Sequence, residues 1–210
     1  KRQTIMIAAL ITAMEGTTIS QLSHYVKADT NTTSQTSQAE NDLTQYKKIN
    51  GIGDNTVLGA DFSHYQLQKN AWKKVWKNYK GIEVSNVFEY VRSQGINTIS
   101  VKVAVNPAKD DSYLSLEYAK ETLKEAKKAG LKTNVVLLYS DKITYGNSQE
   151  LPGGWSVDKA AEEANKYTKT VLEELKRAGA TPTMVTIGNE VNYNFLNLSS
   201  WDGSVSYTHL

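Results

Sequence analysis

From residue 57 onward, apolar positions follow two alternating rhythms. Short continuous apolar runs of strand length are separated by segments whose apolar residues fall every three or four positions, the spacing of one helix face. The runs are Val57-Leu58-Gly59-Ala60-Asp61, residues 96–105, residues 131–139 and residues 184–188. Between them, Val84, Val87, Phe88 and Val91 predict one helix, and Leu116, Ala119, Leu123 and Ala126 a second. Ala160, Ala164, Tyr167, Val171 and Leu175 predict a third, with Ser156 as its cap. Each predicted helix ends on a glycine that leads into the next run: Gln94-Gly95-Ile96, Ala129-Gly130-Leu131 and Ala178-Gly179-Ala180. Glycine there supplies the left-handed turn that aims the chain back at a sheet.

Strands alternating with helices imply parallel pairing with right-handed crossovers, so all strand-to-helix loops gather at one end. Those loops are the long polar ones. The alternation fits a (β/α)8 barrel and a doubly wound sheet alike, and both place reactive groups just past the strands' C-terminal ends. The run Met184-Val185-Thr186-Ile187-Gly188 stops at Asn189-Glu190-Val191-Asn192, which makes Glu190 the candidate reactive carboxylate. A solvated loop after a strand is the plain alternative for that pair. The aromatic and basic loop at 72–79 has no assigned role.

The segment before residue 57 reads differently. Lys1 and Arg2 precede an apolar run over residues 5–14, too short to span a bilayer and of signal-peptide length. Val26-Lys27-Ala28 offers a cleavage site, with Ala13 as a competitor; an amphipathic first helix is the alternative. Residues 29–56 are rich in Ser, Thr, Asn and Gln, and cannot bury enough surface to offset their ordering entropy. They are expected to form a linker, in which Asn31-Thr32-Thr33 matches a glycosylation acceptor.

Charge and composition remove several classes of function. The formal net charge is +2, with 24 basic against 22 acidic residues, so no footprint for nucleic acid is present. Lys124, Lys127 and Lys128 alternate with Glu121 and Glu125 as on a solvated helix face. The absence of cysteine excludes disulfides and thiolate chemistry, and His24, His64 and His209 lack any metal-ligand spacing. No glycine-rich phosphate loop follows a strand. No cofactor or metal is expected.

Five stretches together resemble glycoside hydrolase family 53, the endo-β-1,4-galactanases. They are Gly59-Ala60-Asp61-Phe62-Ser63, Gly95-Ile96-Asn97-Thr98-Ile99 with Val105-Asn106-Pro107, Tyr139-Ser140-Asp141, Leu151-Pro152-Gly153-Gly154-Trp155-Ser156, and residues 184–192. The resemblance runs from about residue 57 to 198. It implies a secreted (β/α)8 barrel that cleaves galactan side chains of plant cell-wall pectin with retention of configuration. It makes Glu190 the general acid/base and Asn189 the neighbour that hydrogen-bonds the sugar 2-hydroxyl. Asp61, Lys102, Asp141 and Trp155 become the expected substrate-binding residues, with Tyr145 as an alternative stacking platform to Trp155. The pattern is also broken: Ser100, Lys102 and Ala104 stand where the family has arginines and a tryptophan, and Val136 and Leu138 where it has an aspartate and a histidine. Lys142-Ile143-Thr144-Tyr145 replaces a further tryptophan. Lysine cannot supply arginine's bidentate fork, so the sugar subsites are expected to differ.

The expected organisation is an export signal at 1–28, a linker at 29–56, the first half of a barrel at 57–203 and a non-native tail at 204–210. Four strand–helix units are half of a barrel, and the family's nucleophile belongs to the other half. The expectation is thus a fragment of a secreted, bacterial, monomeric enzyme, inactive and poorly stable by itself. A carbohydrate-binding barrel without hydrolase activity is the second reading, and a flavodoxin-like sheet protein the third.

Overall fold

A computed structural model describes residues 56–146, 148–191, 194–196 and 198–199. The expected signal, the tail, His24, His209 and nearly all of the linker lie outside them. The chain divides into two compact units, of which the described parts are residues 56–61 with 75–98 and residues 62–74 with the remainder from 99.

In the first unit, strand β1 (Gly59–Asp61) is shorter than the apolar run that announces it. Asn97 fixes its entry: its Oδ1 accepts from Leu58 N at 2.9 Å and its Nδ2 donates to Thr56 O at 2.7 Å. The loop of unassigned role turns around Asn78, whose Oδ1 accepts from Lys80 N and Ile82 N at 2.9 and 3.0 Å. The helix that follows begins later than its periodicity predicts. Asn86 accepts from Glu89 N and caps it, so Val84 lies outside and bonds back to Trp76 O instead.

The second unit opens with helix α1 (Tyr65–Asn70), six residues long, whose buried residues Tyr65 and Gln66 form no apolar stripe. Helix α2, Val87–Ser93, is the Asn86-capped helix of the first unit. Strands β2 (Thr98–Val103), β3 (Lys132–Leu137) and β4 (Met184–Ile187) follow one another in the sheet. Helix α3 (Leu116–Lys128) joins β2 to β3, and α4 (Ala160–Arg177) joins β3 to β4. β3 and β4 run parallel, with Val135 opposite Val185 and Leu137 opposite Ile187. A short antiparallel pair, β5 (Asn194–Phe195) and β6 (Leu198–Ser199), comes last and is not legible in the sequence.

Period-two alternation sorts the strand side chains. Val101, Val103, Val135 and Leu137 form one core with Ala119 and Leu123 of α3 and Ala160, Ala164, Val171 and Leu175 of α4. The opposite face carries a polar line, in which Asn134 Nδ2 donates to Ser100 Oγ and Thr186 Oγ1 donates to Asn134 Oδ1, each at 3.1 Å. Nearer the strands' C-terminal ends the same face turns apolar, where Ala104, Leu114, Val136 and Leu138 cluster.

The predicted glycine stops are one structural motif used three times. Leu131 N donates to Ala126 O, Ile96 N to Val91 O and Ala180 N to Leu175 O, each closing a helix across a left-handed glycine and pairing two apolar residues. Ser156 differs from its expected role: its hydroxyl makes no cap. Its carbonyl accepts from Lys159 N, opening a 3-10 turn (Val157–Lys159) that precedes α4. Among the described residues, no helix is long and apolar enough to cross a membrane.

Candidate functional site

The chain leaves β4 through a turn whose shape is set by its first residue. Gly188 N donates to Leu137 O at 2.9 Å, the last rung against β3. Gly188 has φ +74, and a Cβ on it would lie 2.5 Å from Val191 Cγ1 and 3.4 Å from Phe195 Cε2. No other residue fits without moving that packing. Phe195 is held in turn by the edge of Tyr139, 5.3 Å away and nearly perpendicular, and Tyr139 meets Tyr167 the same way at 5.6 Å. Thr168 Oγ1 donates to Ala164 O, so the Tyr139 hydroxyl is the donor in its 2.8 Å bond to Thr168. Burial raises the Tyr139 phenol above its ordinary pKa, keeping it neutral in that role.

Two residues on, Glu190 also takes a left-handed conformation, at φ 52, which costs about 1–2 kcal/mol in a residue with a Cβ. The exit loop of β3 holds it there. Buried Gln149 donates through Nε2 to Asn189 O at 2.9 Å and Glu190 O at 3.3 Å, and also to Tyr145 O at 2.9 Å. Buried Thr144 adds a bond from Oγ1 to Asn189 O at 3.0 Å, and Asn189 Nδ2 returns one to Thr144 O at 2.8 Å. Gly146 N donates to Glu190 Oε2 at 3.2 Å. Glu190 is exposed, so its backbone is fixed while its carboxyl group faces solvent.

The structure shows Asp141, an expected substrate-binding residue, bonded to two loops. Its Oδ1 accepts from Asn106 N at 2.9 Å and its Oδ2 from Gly153 N at 2.7 Å. It clips the exit loop of β2 to the loop before α4. Trp155 follows that second contact, and its half-buried ring packs edge-on to Tyr167, 6.4 Å away, against the helix-side core. Tyr145, the alternative platform, is 57% exposed and directly precedes Gly146, whose N–H meets Glu190.

Lys102 lies half-buried in β2 on the face of Ser100 and Ala104, and its backbone N–H donates to Ser63 Oγ at 2.9 Å. Asp61 closes β1 in the first unit, also half-buried. The third histidine, His64, stacks on Tyr113 with centroids 3.8 Å apart. Among the described residues, no group of three or more His, Asp or Glu side chains could hold a metal. The structure thus brings Asn189, Glu190, Thr144, Gly146 and Gln149 together. The last three carry no motif, and their contacts join positions 40 or more residues apart, which periodicity does not report.

A family model described as glycosyl hydrolase family 53 matches residues 57–209. The chain is 32% identical over 143 residues to the arabinogalactan endo-beta-1,4-galactanase of Thermothelomyces thermophilus, covering 67% of this chain and 42% of that one. Against the arabinogalactan endo-beta-1,4-galactanase of Cellvibrio japonicus it is 30% identical over 152 residues, covering 70% and 39%. Among solved structures, one of two fungal beta-1,4-galactanases superposes with a TM-score of 0.61 at 32% identity, over 67% of this chain and 42% of that chain. The family 53 catalytic domain of Ignisphaera aggregans superposes at 0.68 with 22% identity, over 74% and 46%, a likeness of fold. The chain spans about two-fifths of the length of these curated relatives.

Proposed function

The chain belongs to glycosyl hydrolase family 53 and has the fold class of its (β/α)8 barrels, and from that premise we propose that it supplies the acid/base half of a secreted retaining enzyme that cleaves β-1,4-galactan of plant cell walls. The observation that carries this reading is the pinned, exposed Glu190 at the end of β4. A retaining glycosidase needs a carboxyl group that first protonates the leaving oxygen and then deprotonates water, about 5–5.5 Å from a carboxylate nucleophile. Glu190 takes the first role. Its Oε2 accepts the Gly146 N–H, a group that can only donate, so the transferable proton belongs on Oε1.

Asn189 spends one N–H on Thr144 O and keeps a second N–H and its carbonyl for a sugar hydroxyl. A bond there that strengthens as positive charge develops on the sugar favours the transition state over the ground state. Tyr145 offers a ring face to the sugar, and Lys102 a point charge in place of arginine's fork. The nucleophile comes from the part of the family's barrel that this chain does not span.

The test is Glu190→Gln in the full-length gene product. Turnover of β-1,4-galactan is expected to fall by about 10²–10⁴-fold, the usual worth of a general acid/base. Undiminished turnover overturns the assignment. One observation favours a second reading, a barrel that binds carbohydrate without cutting it. Val136 and Leu138, in a buried apolar cluster with Ala104, stand where the family's pattern has an aspartate and a histidine. Galactan binding by the wild-type protein with no release of oligosaccharide would select that reading.

A further inference from the structure

We propose that Gln149 is a positioning residue for the acid/base, and that the exit loop of β3 around it sets where the Glu190 carboxyl stands. The inference rests on the reading of Glu190 as acid/base. A left-handed glutamate is not self-supporting, and here its strain is opposed by hydrogen bonds from a single loop. Gln149 is only 3% exposed and Thr144 1%; both side chains donate to the carbonyl of the Asn189–Glu190 peptide, and that of Gln149 also to the next carbonyl, Glu190 O. Burying a carboxamide is costly unless it is bonded, so this one is stable only with the turn in place, and the turn only with it.

The same loop reaches the functional group directly. Gly146 lies between Thr144 and Gln149, and its N–H meets Glu190 Oε2. Gln149 also bonds Tyr145 O, which fixes the peptide that carries the Gly146 N–H. Backbone position and carboxyl orientation are thus set by one element. A misplacement of about 1 Å in a catalytic group can cost on the order of 100-fold in rate.

The experiment compares Gln149→Leu and the near-isosteric Thr144→Val with wild type in the full-length protein. Two substrates are used: β-1,4-galactan, whose leaving group needs a proton, and a dinitrophenyl galactobioside, whose leaving group does not. For Gln149→Leu, kcat on galactan is expected to fall on the order of 100-fold with KM changed less than about threefold, and kcat/KM on the dinitrophenyl substrate to stay within about threefold. For Thr144→Val, which leaves Gln149 in place and retains the fold, the loss on galactan is about tenfold with the same split. Equal losses on both substrates, or none on galactan, overturn the proposal.

A readout independent of catalysis separates this inference from the assignment beneath it. Hydrogen exchange at the Gly146 amide is expected to accelerate by about tenfold in Gln149→Leu as the Glu190 contact loosens. Unchanged protection there overturns the positioning role even if Glu190 is the acid. If Glu190→Gln shows no difference between the two substrates while that amide loosens as expected, the acid/base assignment fails and the positioning of Glu190 stands.

Discussion

Gly188 is the residue on which the candidate site turns, because it combines a positive φ with a packing gap too small for any Cβ. Alanine there would have to hold a left-handed backbone and push against Val191 Cγ1, which would lie 2.5 Å away. The two effects together are expected to cost about 2–4 kcal/mol, backbone strain giving 1–3 of it. Chemical denaturation of Gly188→Ala checks this, and a loss under about 0.5 kcal/mol would show that the turn relaxes freely. The place of Glu190 at the sheet's end was legible in the sequence for a simple physical reason, since it closely follows an apolar run of strand length. Gln149 was not. A lone glutamine in a polar loop looks solvated until folding sets it beneath residues 40 positions away. Asp141 was found as a candidate, but a sequence does not reveal that its oxygens meet the backbone N–H groups of two separate loops.

Among the elements, α2, α3 and α4 were readable and α1 was not. Val87, Phe88 and Val91 declare a face of α2 within seven residues, whereas α1 buries Tyr65 and Gln66, neighbours in sequence and one of them polar. What places α1 is a polar cluster: Tyr65, Gln66 and Lys69 donate to the two carboxylate oxygens of Glu125 on α3, at 3.0, 2.9 and 2.8 Å. Burial acts to raise the Glu125 pKa, but the bonds from Lys69, Gln66 and Tyr65 outweigh it and leave the group below its ordinary 4.5. The sign follows from linkage. A carboxyl whose folded pKa is depressed stabilises the fold above its unfolded value, and that contribution is lost as pH falls through the folded one. Glu125→Gln is therefore expected to lower stability by about 1 kcal/mol at pH 7, the modest value of a partly exposed charged bond. The gap should close towards pH 3. Urea titrations of both proteins at the two pH values check it, and an equal gap at both would show that the charge on Glu125 contributes nothing.

At the scale of the whole molecule, the alternation of strands and helices and the glycine stops follow from periodicity and handedness alone. The choice of a barrel over an open sheet does not, because both use the same local pattern, and here it comes from the relatives. β4 is where the sheet leaves apolar side chains uncovered. Val185 and Ile187 stand opposite Val135 and Leu137, which are fully buried beneath the helices, yet are themselves 39% and 45% exposed. Thr186 between them is exposed as well, so the strand is apolar towards the helix side and uncovered on both faces. Exposed apolar strands recruit partners, by edge pairing or by burial of their side chains. The 210-residue polypeptide studied by itself is therefore expected to self-associate at concentrations on the order of 100 µM. Replacing both Val185 and Ile187 by lysine should shift it towards monomer, since each lysine sets a charge on the face that would be buried. Because neither side chain belongs to the buried core, the unfolding midpoint should move little. Sedimentation of the two proteins decides the matter: a wild-type chain that stays monomeric, or a double variant that associates as strongly, would place the self-association elsewhere or nowhere.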